Sequence, residues 1–212
     1  LVQGMPTDAR EEIEAAVADL GYSGLVVDLG GLAALYPPLI DQSAPLGWTI
    51  ETATHEWLHQ YLAFTPLGFR YVLDLAGIWP DYEIARMNET VAGMMGRELS
   101  RCVLERYHPD ALQPQPAPEP PKRDESLFNR TMRETRLRVD DLLAAGRVEE
   151  AEAYMEEQRL YLASEGHYIR KLNQAYFAFH GAYADAPTSV DPIVDEMRAL
   201  RRQVATPREF LD

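Results

Sequence analysis

The chemistry in this chain is concentrated at Thr54–Tyr61, which reads Thr-His-Glu-Trp-Leu-His-Gln-Tyr. His55 and His59 are four residues apart, a spacing that places two imidazoles on one face of a helix where both can hold a single metal ion. Glu56 adjoins the first of them, within reach of a water that such an ion would acidify, so it is the candidate general base. Outside the motif, every residue from Thr52 to Tyr61 is uncharged. Trp57, Tyr61 and Trp79 are aromatic candidates for the walls of a cleft.

Two histidines do not complete a catalytic zinc site, which takes three protein ligands and keeps one position open. The third candidate is Glu89, in the run Asn88-Glu89-Thr90-Val91-Ala92. The small residues Ala85, Ala92, Gly93 and Gly96 flank it one or two turns away. A glycine inside a helix costs about 1 kcal/mol relative to alanine. Two of them near one carboxylate ask for a packing reason, here a close approach to the His55/His59 face.

The pair of motifs, H-E-x-x-H followed some tens of residues later by N-E-x-x-A, resembles the gluzincin zinc metallopeptidases, and Arg170–Ala175 is similar to a run in bacterial aminopeptidases of that group. The likeness covers about Thr49–Tyr107. It implies a zincin-like core of two helices, Zn2+ on His55, His59 and Glu89, Glu56 as catalytic base, and a peptide or protein as substrate. The position four residues after the zinc glutamate, often aspartate in that family, is Gly93 here. A partner for His55 must then come from elsewhere, with Asp28 and Asp74 as candidates. The family also needs a side chain that stabilises the oxyanion. Asn173, Tyr176 and His180 are the candidates, because Asn173 and His180 interrupt an otherwise apolar stripe.

These residues need rigid elements to carry them. Helical patterns run over 7–20, 49–64, 70–76, 81–107, 126–145, 148–164, 167–183 and 190–204. Thr49 is the expected cap of the second, and Pro66-Leu67-Gly68 its expected stop. Gly24–Asp28 and Leu32–Tyr36, around Gly30-Gly31, form the one expected hairpin, a helical reading of the latter being the alternative. The fold class is therefore mainly α, with at most a small β-hairpin. Six prolines in His108–Pro121 make an extended connector. They divide the chain into a metal-bearing lobe over 1–108, a connector over 109–125 and a helical subdomain over 126–212 that packs on the lobe.

Composition removes other classes. The 212 residues carry a net charge of −14, the wrong sign for a chain that neutralises phosphates, so nucleic acid is excluded as the expected partner. One cysteine, Cys102, permits neither an intrachain disulfide nor a cysteine-based metal cluster. It sits in a helical pattern as an expected core residue. His108 and His167 read as ordinary surface histidines. No apolar run is long enough to span a membrane. The chain opens on Leu1, from which we expect something upstream, a signal peptide, an anchor or nothing of consequence; the localisation stays open, with a secreted or membrane-anchored setting favoured over the cytoplasm. Two alternatives stay open: a zinc-binding module that senses or binds without catalysis, and a helical interaction scaffold.

Overall fold

The computed structural model describes residues 4–33, 36–41, 44–112, 126–181, 183–184 and 186–212. Most are helical. The helices are α1 (Thr7–Asp19), α2 (Leu46–Leu62), α3 (Pro66–Leu75), α4 (Tyr82–Tyr107), α5 (Leu127–Ala144), α6 (Val148–Ser164), α7 (Gln174–Gly181), α8 (Ile193–Gln203) and α9 (Pro207–Leu211). Two short strands, β1 (Gly31–Leu32) and β2 (Leu39–Ile40), pair antiparallel with Gly31 opposite Ile40. The mainly α class with a small hairpin is what the sequence leads one to expect. Among the described residues, no helix is long and apolar enough to cross a membrane.

The chain folds as two compact units that do not follow its linear order. One takes in Leu1–Asp28, Pro121–Gly181 and Ala186–Val190; the other takes in Leu29–Pro120, Ala182–Asp185 and Asp191–Asp212. The division at the proline run describes neither, because each unit draws residues from both sides of it. Of the connector, Pro109–Ala111 forms one turn of 3-10 helix, and residues 113–125 lie outside the described residues.

In the first unit α5 and α6 pack as an antiparallel hairpin. Its turn is a Schellman motif: Arg147 N–H donates to the Leu142 carbonyl, Gly146 N–H donates to Leu143, and Gly146 takes φ 71°. Met132, Val139 and Leu142 of α5 meet Ala151, Met155 and Leu162 of α6, with Leu172 and Phe177 closing the core.

The most deeply buried charge of the unit, among the described residues, is a finding that the periodicity of α1 did not disclose. Ile13 and Leu20 are exposed, while Glu14 is 2% exposed. Its carboxylate accepts from Arg170 at 2.6 and 2.8 Å and from Val26 N–H at 2.7 Å. Arg170 also donates to the Val26 carbonyl, and Asn173 Nδ2 donates to the Gly24 carbonyl. Side chains thus take the hydrogen bonds that a strand over 24–28 would have needed. The observed hairpin instead pairs Gly31–Leu32 with Leu39–Ile40. Asn173 Oδ1 accepts from Tyr176 N–H, so α7 starts at Gln174 and residues 167–173 are not helical.

In the second unit α4 lies along α2, and α3 packs on both. Leu58 and Leu62 of α2 meet Val91, Ala92 and Met95 of α4, with Met197 of α8 completing the core. Helix α2 begins earlier than expected. Pro45 precedes it with φ preset at −57°, while the Thr49 hydroxyl donates back to the Pro45 carbonyl and so sits inside the helix. Pro66 does not merely stop α2. It is the first residue of α3, behind the Thr65 side chain that accepts from Gly68 N–H. Asp81 caps α4 by accepting from Glu83 and Ile84 N–H. Cys102, expected inside, is exposed.

Candidate metal centre

The second unit brings His55, His59 and Glu89 together. Both histidines project from the inner side of α2, one turn apart, and Glu89 projects from the middle of α4. His55 Nε2 and His59 Nε2 are 3.0 Å apart. Glu89 Oε2 lies 3.4 Å from the former and 3.5 Å from the latter. The rings meet edge to face, at 80°.

That triangle can be compared with what a metal requires. Ligand atoms about 2.0–2.1 Å from a tetrahedral zinc stand about 3.3 Å from one another. The three edges of 3.0, 3.4 and 3.5 Å fit one face of such a tetrahedron. Glu89 Oε2 is also buried without a hydrogen-bond donor, a costly state for a carboxylate oxygen unless a cation faces it. The residues fit the ion that their types imply.

Neighbouring groups hold the three side chains in place. Asn88, fully buried, presents Oδ1 2.6 Å from His59 Nδ1. An amide oxygen only accepts, so Nδ1 carries the hydrogen and His59 turns its Nε2 lone pair toward the triangle. Burial opposes the charged ring, but Glu89 and Asn88 outweigh it and raise the His59 pKa. Tyr71 of α3 donates its hydroxyl to Glu89 Oε1 at 2.8 Å. Burial likewise opposes ionisation of Glu89, yet the two imidazoles and Tyr71 hold its carboxyl far below the usual carboxylate range. Burial and Glu89 together push the Tyr71 hydroxyl well up, so it remains a donor.

Glu56 packs under the hairpin. A Cβ on Gly31 would come within 2.4 Å of Glu56 Oε1, so glycine is what lets β1 close over this carboxylate. Burial raises the Glu56 pKa, against the opposing pull of His55 and His59. One helical turn on, Gln60 Nε2 donates to the Ala33 carbonyl and pins the same strand to α2. The segment at 183–184 completes the surroundings. The Tyr183 ring lies 6.2 Å from that of His55, and Ala184 N–H donates to Thr90 Oγ1 on α4.

Of the small residues of α4, three are buried, but the contact they leave room for is an ordinary one. Ala92, Gly93 and Gly96 are buried, and a Cβ on Gly96 would touch His55 Cα and Cβ at 3.4 Å.

The remaining sequence candidates have other partners. Asn173, Tyr176 and His180 belong to the first unit. There Asn173 is engaged by Gly24 and Tyr176, and the Tyr176 and His180 ring centroids lie 4.2 Å apart with the planes tilted by 42°. Asp28 accepts from Arg10 and from Gly4 N–H in that unit, while Asp74 accepts from Asp81 N–H. Both are committed to structural bonds. The partner supplied to the histidines is Asn88, on His59. Trp57 and Trp79 are partly exposed, Trp79 under the Arg70 guanidinium, and Tyr61 donates to Asp212.

Asn88, Tyr71 and Tyr183 went unassigned in the sequence. Asn88 left a trace there, since asparagine is a poor interior helix residue and asks for a partner. Tyr71 and Tyr183 reach the site from separate elements, and no spacing rule reports them. No family model, no curated protein and no solved structure matches the chain.

Proposed function

We propose that this protein is a zinc-dependent peptidase of the gluzincin type. His55, His59 and Glu89 hold the ion, Glu56 is the general base, and a peptide or protein is the substrate. The observation that carries the reading is the triangle of two Nε2 atoms and one buried carboxylate oxygen, with edges near those of tetrahedral coordination. Beside it stands a carboxylate that no ligand role requires.

Zinc in that position supplies Lewis acidity, toward a peptide carbonyl and toward the water that attacks it. The chain's own groups do the rest. Asn88 keeps the hydrogen of His59 on Nδ1 and its lone pair on Nε2. Glu56, half-buried and with its pKa raised, accepts the proton of the attacking water on its carboxylate and delivers it to the leaving amine nitrogen. The strand at Gly31 limits the space in which that carboxylate can turn.

The test compares the parent with Glu56→Gln. We expect both to retain one zinc per chain after dialysis, and only the parent to cleave a panel of unmodified peptides. A parent that holds zinc and cleaves nothing would leave a metal-binding module without catalysis. A parent without zinc, whose melting ignores chelators, would favour a helical scaffold.

A further inference from the structure

Resting on the metal-holding reading above, the geometry points to Tyr71 as a positioning residue that confines Glu89 to ligation through Oε2 alone. The two oxygens of Glu89 are treated differently by the fold. Oε1 receives the Tyr71 hydroxyl at 2.8 Å. Oε2 faces both Nε2 atoms and has no hydrogen-bond donor. A carboxylate binding a metal through both oxygens must turn both toward the ion, and the phenol holds one of them away.

The phenol has little freedom to follow such a turn. It comes from α3, a different helix from those bearing the three ligands. That helix is locked against the end of α2 at Gly68, where any Cβ would meet the Leu62 carbonyl oxygen at 2.0 Å. Next to Tyr71, Arg70 is held over the Trp79 ring at 3.6 Å and paired with Asp81 at 3.2 Å. The Tyr71 ring itself lies 5.8 Å from that of His59. Removing the hydroxyl frees Oε1 to join Oε2, which adds a ligand and fills a position that a catalytic zinc site keeps open. Bonds to a ligand's outer atoms are typically worth about 10–100-fold in metal affinity.

The test uses Co2+ alone as probe, on the full chain. The parent should give the intense visible absorption of a four-coordinate ion. Tyr71→Phe should give bands severalfold weaker, as five-coordinate Co2+ does, and its affinity in competition with a chelator should change by about tenfold or more. Tyr71→Met, which also lacks the hydroxyl, should move the spectrum in the same direction. Phe69→Ala, an exposed neighbour on α3, should not. A purely structural Tyr71 would lower the melting temperature and leave the bound spectrum unchanged, which overturns the inference. A parent that takes up no Co2+ overturns the metal-holding reading itself. A parent that takes it up, with a Tyr71→Phe variant of identical spectrum and affinity, overturns the role of Tyr71 alone.

Discussion

His59 Nδ1 and Asn88 Oδ1 are 2.6 Å apart, a bond that crosses from α2 to α4 beside the three ligand atoms. It decides which nitrogen of His59 carries the hydrogen. With its hydrogen on Nδ1, His59 presents an Nε2 lone pair, 3.0 Å from His55 Nε2, that can accept a proton or face a cation.

Asn88→Ala should therefore weaken zinc binding by about 10–100-fold, measured by chelator competition. Asn88→Asp, which keeps an acceptor toward Nδ1, should lie closer to the parent. Equal affinity in all three proteins would show that the bond does not orient the ring.

Metal removal should lower the stability of the unit that holds the triangle. At a free metal concentration 100 times its dissociation constant, the stabilisation lost on chelation is about 2.7 kcal/mol. In His55→Ala or His59→Ala the same chelator should leave the calorimetric transition unmoved. A parent transition indifferent to chelation would contradict the prediction.

The glycines near the site should separate by what faces them. Gly31→Ala drives a methyl against Glu56 Oε1 and should reduce hydrolysis by about 100-fold while metal uptake persists. Gly68→Ala meets backbone at the Leu62 carbonyl and should cost about 3 kcal/mol in denaturant melts. Gly96→Ala finds ordinary contact distances at His55, so it should be nearly neutral.

The Glu14–Arg170 pair gives the first unit an acid sensitivity with a definite sign. Arg170 is the main cause that lowers the Glu14 pKa from 4.5 to about 2, with Val26 N–H assisting against burial. A depressed carboxylate contributes stability that is complete above pH 4.5 and is lost as pH falls toward 2. A shift of that size corresponds to about 3 kcal/mol. Urea melts at pH 7 and pH 3 should show the loss, and Glu14→Gln should flatten it. A parent whose stability is level across that range would refute it.

The triad was legible because its rules are local. A four-residue spacing on one helix needs no knowledge of the fold, and Glu89 was marked by small residues within two turns. The start of α4 near residue 81 was legible for the same reason. The strand over Gly24–Asp28 was not. Its backbone bonds go to Glu14, Arg170 and Asn173, residues as many as 149 positions away in the chain. Arg170 and Asn173, taken for part of a catalytic signature, hold an extended segment in place. Cys102 misled because a small apolar residue in a helix can face either way, and its neighbours did not decide it.

The interleaving of the two units bears on how the chain can be cut. Neither can be expressed as one contiguous fragment. A truncation after residue 120 would strip the unit that holds the His55–His59–Glu89 triangle of Met197, Phe210 and Leu211, which belong to or pack against its core, and would leave α1 without Arg170 to neutralise Glu14. Domain shuffling at the proline run would therefore damage both partners of the exchange.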